Sequence, residues 1–591
     1  MIRLDPEQSA AVTAGGHAVV SAGAGSGKTR VLVERYIRLV KDEGAGIEEV
    51  LAVTFTRKAA AEMRERIFLR LQEYREEPHI RDQLANFEAA QIKTFDSLCG
   101  EIVRSSAAVL GLTPDFVVDD EAAIEAAYPQ TIRFVLQHLA VPALGRLVAA
   151  FGLSRVARDL FLQRMRDSFH LGQEMDLPGM YQAQVRKLES GIVEGMARIG
   201  EILEELASIS LPSNLKAAGD RSLLESLASR SWDRIELDQV PEAVSRVKAL
   251  RSPGGGAKAP EAAEYRELIK ALKPFIKQVE EFVATLVLSG EIEALFELLR
   301  EYQLQALSWK RSGGVVGYAD VVSGAMRLLD DVPDLLDAYR QRLRHILVDE
   351  FQDNNQTQKE LIYRLAGLDG DPTQSGPRLF LVGDDKQSIY RFRGADVSLF
   401  HQVTQDLTRR GGDSVVLPVN YRSAGSLVRF YNRLFPGVFG GLNEGFGEIQ
   451  ALRQDKHLAT VRILLHDGDD FGASETPESE FLDSTESEAY HVAETIRRLV
   501  DEGSYDFNDI AVLMRSTSNQ NAFERMLRHF DLPYQSRSLR GLFSEAIVSD
   551  FYHLLRLVLY PEDRVAYAAV LRTPLVGISD EGFLRILRRD E

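Results

Sequence analysis

Short apolar runs rich in β-branched residues punctuate the chain at His17–Ala22, Val50–Phe55, His345–Glu350, Leu379–Asp384 and Val415–Val419. Runs of this length, apolar without alternation, predict strands buried on both faces of a parallel sheet. Helical spacing follows most of them, so βαβ units are expected. Between about Leu112 and Gly314 no such run stands out, and helical spacing takes over, as in Leu268–Leu299. One flexible break, Ser252-Pro253-Gly254-Gly255-Gly256, interrupts this stretch. The pattern predicts a helical domain inserted into a first α/β block, whose flanking segments still meet in one sheet. A second α/β block is expected from near Leu417, with strands at Val461–Leu465 and Ile510–Met514. The acidic segment Asp467–Glu488 predicts an exposed loop leading into a helix around Ala489–Val500, and helical spacing returns from about Ser549.

Composition narrows the picture modestly. A chain of 591 residues, 45% hydrophobic and 27% charged, predicts several globular domains. No apolar run approaches the ~20 residues that span a membrane, and the opening Met1-Ile2-Arg3-Leu4-Asp5 has no long apolar core. A cytoplasmic location without membrane contact is expected. The single cysteine, Cys99, excludes a disulfide within the chain and any cysteine-rich metal site; its apolar flanks predict a packing residue. His17 and His345 are likewise expected to be structural, and the Arg64-Glu65-Arg66 run reads as a solvated helix face or a phosphate contact. The net charge of −18 argues against coating DNA through bulk positive charge. It leaves room for a local basic channel.

The candidate chemistry lies at strand ends. Ala22-Gly23-Ala24-Gly25-Ser26-Gly27-Lys28-Thr29 follows one predicted strand and precedes a helical run opening with Arg30. This strand–loop–helix context is what a phosphate loop requires. Its glycines let backbone amides point inward, and the helix adds its positive end. Lys28 is placed to reach the β- and γ-phosphates of ATP and Thr29 to ligate Mg²⁺. Ala22 stands where the common pattern opens with Gly. Ile346-Leu347-Val348-Asp349-Glu350 is an apolar strand ending in two acids, with Asp349 expected in the Mg²⁺ shell and Glu350 expected to orient and deprotonate the attacking water. In Val382-Gly383-Asp384-Asp385-Lys386-Gln387-Ser388-Ile389-Tyr390-Arg391-Phe392-Arg393-Gly394, Gln387 suits sensing of the γ-phosphate. Tyr390, Phe392 and Arg393 could stack on bases without reading sequence; core packing is the plainer alternative for Phe392.

Motifs in this order resemble those of the UvrD/Rep branch of superfamily 1 DNA helicases. Leu4-Asp5-Pro6-Glu7-Gln8 is similar to the Q motif, which implies Gln8 on the adenine. Thr54–Met63 and Thr94-Phe95-Asp96-Ser97 resemble motifs Ia and Ib, implying DNA contacts from Phe55, Thr56, Arg57, Lys58, Thr94 and Phe95 beside Tyr390, Phe392 and Arg393. Asp349–Asp353 and Gly383–Gly394 resemble motifs II and III. Asn420-Tyr421-Arg422-Ser423 resembles motif IV, implying Tyr421 against adenine and Arg422 on the γ-phosphate. Ala22 through Arg30 complete the implied ATP site. Arg57, Asp96 and Phe392 stand where UvrD-type enzymes carry Asn, His and Trp, which points to the AddA/RecB helicase–nuclease branch. Gly317-Tyr318-Ala319-Asp320 and Leu571–Asp580 resemble further segments of that branch.

The resemblance implies an α/β fold of two RecA-like P-loop NTPase domains with helical insertion domains. The expected division is 1–112 and 315–416 for the first RecA-like domain, 113–314 for its helical insertion, 417–548 for an incomplete second RecA-like domain, and 549–591 for the start of a second helical domain. It implies ATP and Mg²⁺ as cofactors, single-stranded or duplex DNA as partner, 3′-to-5′ tracking, and pairing with a nuclease subunit in break repair. The family's motifs V and VI and the branch's nuclease core are not found in these residues, so the expectation is an N-terminal portion of a longer protein. The alternatives are a stand-alone repair helicase and a nucleotide-dependent DNA-binding module without motor activity.

Overall fold

A computed structural model describes residues 4–212, 215–232, 235–253, 260–370, 376–439, 446–455, 461, 463, 484–503, 505–536 and 546–587. The chain divides into two compact units, Met1–Ala459 and Thr460–Glu591.

In the first unit a six-stranded parallel sheet forms from β1 (Ala18–Ala22), β2 (Val50–Thr54), β3 (Ile92–Thr94), β6 (His345–Val348), β7 (Arg378–Gly383) and β8 (Asp413–Leu417), in the order β3-β2-β6-β7-β1-β8. The five apolar runs are strands within two residues of their expected bounds. The sequence does not reveal β3, because Ile-Lys-Thr is too short to show a pattern. Neighbouring residues face opposite cores: Val19, Leu51, Val53, Ile346 and Val348 pack into one, and Val20, Val50, Ala52, Leu347 and Val382 into the other. That two-sided burial is why the strands read as unbroken apolar runs. Because all six run parallel, their carboxyl ends share one edge. There β1 feeds the helix α2 (Lys28–Lys41), β2 feeds α3 (Arg57–Gln72), and β6 and β7 end in acidic turns. Ligands in open α/β sheets bind outside this edge.

The chain leaves the sheet after Leu112 and returns after Gly314. Two short strands, β4 (Val117–Val118) and β5 (Val315–Val316), pair in parallel and strap the exit to the return. The intervening segment is helical, including Asp120–Gln137, Leu177–Ser208, Pro260–Val287 and Ser289–Gly313. It buries two separate apolar clusters, one around Phe134, Phe161 and Tyr302, the other around Ile199, Trp232 and Tyr265. At the return, Lys310 Nζ donates to Asp320 (2.8 Å) and to the carbonyls of Met165 and Phe169 (3.0 and 2.7 Å), with both charges almost wholly buried. Asp320 also accepts from the amides of Leu171 and Gly317 (both 2.9 Å). The Gly317–Asp320 element therefore fastens the helical segment to the sheet.

After β8, β9 (Val419–Asn420) pairs with β10 (Gln450–Ala451). In the second unit the described elements are helical, including Ser484–Asp501, Gln520–His529, Ala546–Leu559 and Arg564–Arg572. Ala489–Val500 lies within the first of these. Ile510–Met514 forms no strand, and Leu513 is 94% exposed. Its backbone has no neighbouring strand among the described residues, and an apolar run becomes a strand only when its amides and carbonyls find a ladder. The expected strand Val461–Leu465 lies mostly outside the described residues.

Candidate nucleotide site and aromatic platform

The phosphate-loop segment turns tightly between β1 and α2. Gly25 and Gly27 sit at φ +72° and +88°, the left-handed region that side chains strain. A Cβ on Gly25 would lie 2.8 Å from that of Arg422 and 3.0 Å from the Asn420 amide. The close approach has a purpose, because the Asn420 turn is bonded to the loop. Asn420 Nδ2 donates to Ala24 O (2.6 Å) and the Tyr421 amide to Gly25 O (2.9 Å). Asn420 Oδ1 in turn accepts from the amides of Arg422 and Ser423 (2.9 and 2.7 Å), holding that turn closed.

The other side of the loop meets α1 (Pro6–Thr13). Asp5 caps this helix by accepting from the Gln8 amide (2.6 Å), and Gln8 Nε2 donates to Ser26 O (3.0 Å). The Tyr421 hydroxyl donates to the Asp5 carboxylate. Burial, then this bond, pushes the phenol up to about 12. Gln8, Asp5 and Tyr421 thus stand around one loop. Sequence reasoning missed Asp5, although its spacing to Gln8 is that of a capping box.

Lys28, in the first turn of α2, is buried and lies 3.3 Å from Glu350, and it donates to Gln387 Oε1 (3.2 Å). Gln387 Nε2 donates to Asp384 (2.7 Å). Glu350 holds a left-handed backbone at φ +51°, unusual for a residue with a side chain. Its carboxylate accepts from Gln352 Nε2 (2.8 Å), and Gln352 Oε1 accepts from the Asp384 amide (2.8 Å). Lys28 stands among acids, its charge felt by Asp349, Asp353 and Asp384, with Arg66 and Lys386 as further cations at Asp349 and Asp384. Burial, then the Glu350 charge, pushes Asp349 up to about 7 and Asp353 up to about 6, and burial raises Asp384. Buried carboxyls crowded this way suit a divalent cation, whose charge reverses the penalty. Asp349 and the hydroxyl of Thr29 could hold one, since Mg²⁺ usually takes one or two protein ligands and completes its shell from water and phosphate. Arg422 is the outlier of the ATP set. Its backbone lies against the loop, but its side chain is exposed.

At the neighbouring strand ends the rings of Phe55 and Tyr390 lie 4.7 Å apart, and those of Tyr390 and Phe392 5.9 Å. Phe392 is 80% exposed, so core packing does not account for it. Thr56 caps α3 by accepting from the Ala59 amide (3.1 Å), and Arg57 and Lys58 stand exposed in its first turn. Phe55, Arg57, Thr94 and Phe392 share the wall of a cavity of ≈ 1460 Å³ with Arg166 and His170 of the helical segment. Thr94 is largely buried, its hydroxyl bonded to Ser97 (3.0 Å). Phe95, expected to contact DNA, also borders this cavity. Its ring is 2% exposed in the sheet core, because the helix it opens turns its apolar face inward. The side chain of Arg393 lies outside the described residues.

The residues expected to be structural are so. Cys99 is buried in the core, which raises its thiol. His17 Nδ1 accepts from the Leu379 amide (3.0 Å). Arg64, expected on a solvated helix face or at a phosphate, instead donates to the carbonyls of Phe87 and Ala90 (3.3 and 2.8 Å). Among the described residues no helix is long and apolar enough to cross a membrane.

Comparison with known proteins agrees with this geometry. Residues 4–408 match the model of the UvrD/REP helicase N-terminal domain, and residues 415–591 that of the UvrD-like helicase C-terminal domain. Similar proteins include ATP-dependent helicase/nuclease subunits of the same type from three bacteria. That of Anoxybacillus flavithermus is 28% identical, the match covering 98% of this chain and 54% of the relative. The corresponding values are 27%, 98% and 54% for Syntrophomonas wolfei, and 29%, 99% and 53% for Geobacillus thermodenitrificans. The chain spans about half the length of these curated relatives. With matched models covering both its parts and a parallel α/β sheet bearing their motifs, the chain belongs to the UvrD/REP helicase family.

Proposed function

We propose that this chain is the ATP-binding, DNA-gripping portion of an ATP-dependent DNA helicase that works as a helicase–nuclease subunit in double-strand break repair and recombination. One observation carries the reading: Lys28, Glu350 and Gln387, from three strand ends, converge in one hydrogen-bonded cluster at the sheet edge that also presents the Phe55–Tyr390–Phe392 rings. The names of the relatives support the helicase–nuclease branch.

On this reading Gln8 meets the adenine edge and Tyr421 its face. The loop amides from Gly23 to Thr29 take the phosphates, while Lys28 leaves Glu350 for the β- and γ-phosphates. Bound Mg²⁺ supplies charge neutralisation, with Thr29 and Asp349 as its protein ligands. Released from Lys28, Glu350 orients a water and accepts its proton as the oxygen attacks the γ-phosphorus, while the bond from the γ-phosphorus to the β,γ-bridging oxygen breaks and ADP leaves with that electron pair, giving inorganic phosphate. Gln387, no longer bonded to Lys28, senses the γ-phosphate, and Arg422 moves onto it. Contacts that exist in only one nucleotide state convert binding into movement. Phe55, Tyr390 and Phe392 stack on bases, and Thr56, Arg57, Lys58 and Arg393 meet the DNA backbone. Tracking is assigned 3′-to-5′ by family. The domains divide near residues 112, 314, 416 and 548, the β4–β5 strap standing near the first two junctions. The setting is cytoplasmic, beside a partner nuclease subunit.

The test is ATP hydrolysis by the intact protein with and without single-stranded DNA. Stimulation by DNA, lost in Lys28→Ala, supports the proposal. Equal hydrolysis with and without strands defeats the coupling. Nuclease activity in the intact protein separates this reading from that of a stand-alone repair helicase.

A further inference from the structure

Gln352 has no role in the chemistry above, yet its side chain closes a ring. Lys28 bonds Gln387, Gln387 bonds the Asp384 carboxylate, the Asp384 amide bonds Gln352, and Gln352 bonds Glu350, which pairs with Lys28. Gln352 is 2% exposed, so neither end of its amide has water as an alternative. Its orientation is fixed by its neighbours: a carboxylate only accepts and a backbone amide only donates. The Ser388 hydroxyl donates to the Gln352 carbonyl (3.1 Å), adding a second tie to the segment after β7. That segment continues directly into Tyr390 and Phe392.

We propose that Gln352 is a positioning residue that ties the aim of Glu350 to the placement of the aromatic platform. This rests on the functional reading given above. When a γ-phosphate draws Lys28 and Gln387 to itself, the ring loses the bonds those two side chains make. The two bonds of the Gln352 side-chain amide then remain, beside the Ser388 bond to the Gln352 backbone carbonyl, as the link between the ends of β6 and β7, and of these only the side-chain amide touches Glu350. Among the described residues, the side chains that hold the Glu350 carboxylate are Lys28 and Gln352. Once Lys28 departs, Gln352 decides where that carboxylate points. The same amide holds the Asp384 backbone, and through it the turn bearing the rings. A change at Glu350 thus reaches the other side through the Gln352 side chain, a coupling that both ligands feel reciprocally.

The experiment uses the intact protein and compares wild type with Gln352→Ala and Gln352→Glu. A labelled oligothymidylate is titrated with and without Mg²⁺ and a non-hydrolysable ATP analogue, and steady-state hydrolysis is measured with DNA present. In the wild type the analogue is expected to change DNA affinity by about 5-fold or more. In Gln352→Ala that ratio is expected to fall to about 1, with kcat down by about 100-fold and KM for ATP within about 3-fold. Gln352→Glu keeps the volume and the acceptor for the Asp384 amide but sets a carboxylate against Glu350, and it is expected to lose the ratio as fully. Either variant retaining the wild-type ratio and kcat overturns the inference. So does a parallel weakening of ATP and DNA binding with a lower melting temperature, which marks a purely structural role. Wild-type protein without DNA-stimulated hydrolysis overturns the functional reading and this inference with it; a stimulated wild type with unchanged variants overturns the inference alone.

Discussion

The two edges of the same parallel sheet bury ionisable groups to opposite ends. At the amino edge His17, His345, Arg35, Arg344 and Arg378 gather. There Arg35 and Arg38 both donate to Val12 O (2.8 and 3.0 Å), His17 accepts from Leu379, and Arg344 and Arg378 face Glu49 and Glu43 (3.4 and 3.9 Å). Burial, then Arg35 and Arg378, pushes His345 down to about 4, and the neutral ring is what the edge needs. At the carboxyl edge burial acts on Asp349, Asp353 and Asp384, and the Lys28 charge opposes it at all three, with Arg66 adding to it at Asp349 and Lys386 at Asp384. The amino edge answers most of its buried charge within the protein, although Arg35 Nε has no hydrogen-bond partner there. The carboxyl edge, on the proposed function, would be completed by a cation and a polyphosphate. Burial alone therefore does not mark function; buried carboxyls crowded at the ligand-binding edge of the sheet make a candidate site.

The largest effect should come from breaking the carboxyl edge. Lys28→Ala is expected to lower DNA-stimulated ATP hydrolysis by about 10²–10³-fold, the cost of removing one preorganised charge from a transition state. Glu350→Gln should lose turnover to a similar degree while still binding nucleotide, a split that equilibrium titration beside steady-state kinetics reads directly.

Stability should divide the edges by sign. The folded pKa of His345 lies below its unfolded value of about 6.5. The unfolded chain therefore gains a proton first as pH falls, and stability is lost between pH 6.5 and 4, by at most about 3 kcal/mol. His345→Gln should flatten that limb in urea titrations across the range. Asp353 behaves oppositely. Its raised folded pKa makes the charged form a liability above the unfolded value near 4. Asp353→Asn should stabilise the ligand-free protein at pH 8 by about 1–3 kcal/mol, with the gain vanishing toward pH 4. Asp353 Oδ1 also lacks a hydrogen-bond partner, so the loss of charge strands no existing bond there.

A smaller effect is expected on the platform. Phe392→Ala should weaken single-strand binding by about 1–3 kcal/mol with no preference among bases. Thermal stability should stay near wild type, because the ring is 80% exposed. The smallest belongs to Lys58→Ala. Its exposed pair with Glu62 (3.8 Å) contributes less than about 1 kcal/mol to stability, so any loss should appear as a shallower salt dependence of DNA binding.

Much of this is legible in the sequence because strands buried on both faces leave unbroken apolar runs. The residue just after such a run must lie at the carboxyl edge, so Lys28, Asp349, Glu350 and Gln387 are placed by their spacing alone. The misses have physical causes. β3 is too short to carry periodicity. Ile510–Met514 has the composition of a strand, but composition does not supply a partner ladder. The burial of Phe95 in the core by the amphipathic helix Phe95–Ser105 is not visible from its place in the motif. Asp5, Gln352 and Asn420 act through hydrogen bonds to residues distant in sequence, and a one-dimensional pattern does not show who bonds whom.

The most direct measurement is a crystal structure of the intact protein with Mg²⁺ and a non-hydrolysable ATP analogue. The account predicts Lys28 Nζ on the β- and γ-phosphates, no longer on Glu350, with the metal between Thr29 and Asp349. A nucleotide bound elsewhere, with the Lys28–Glu350 pair still intact, would contradict it.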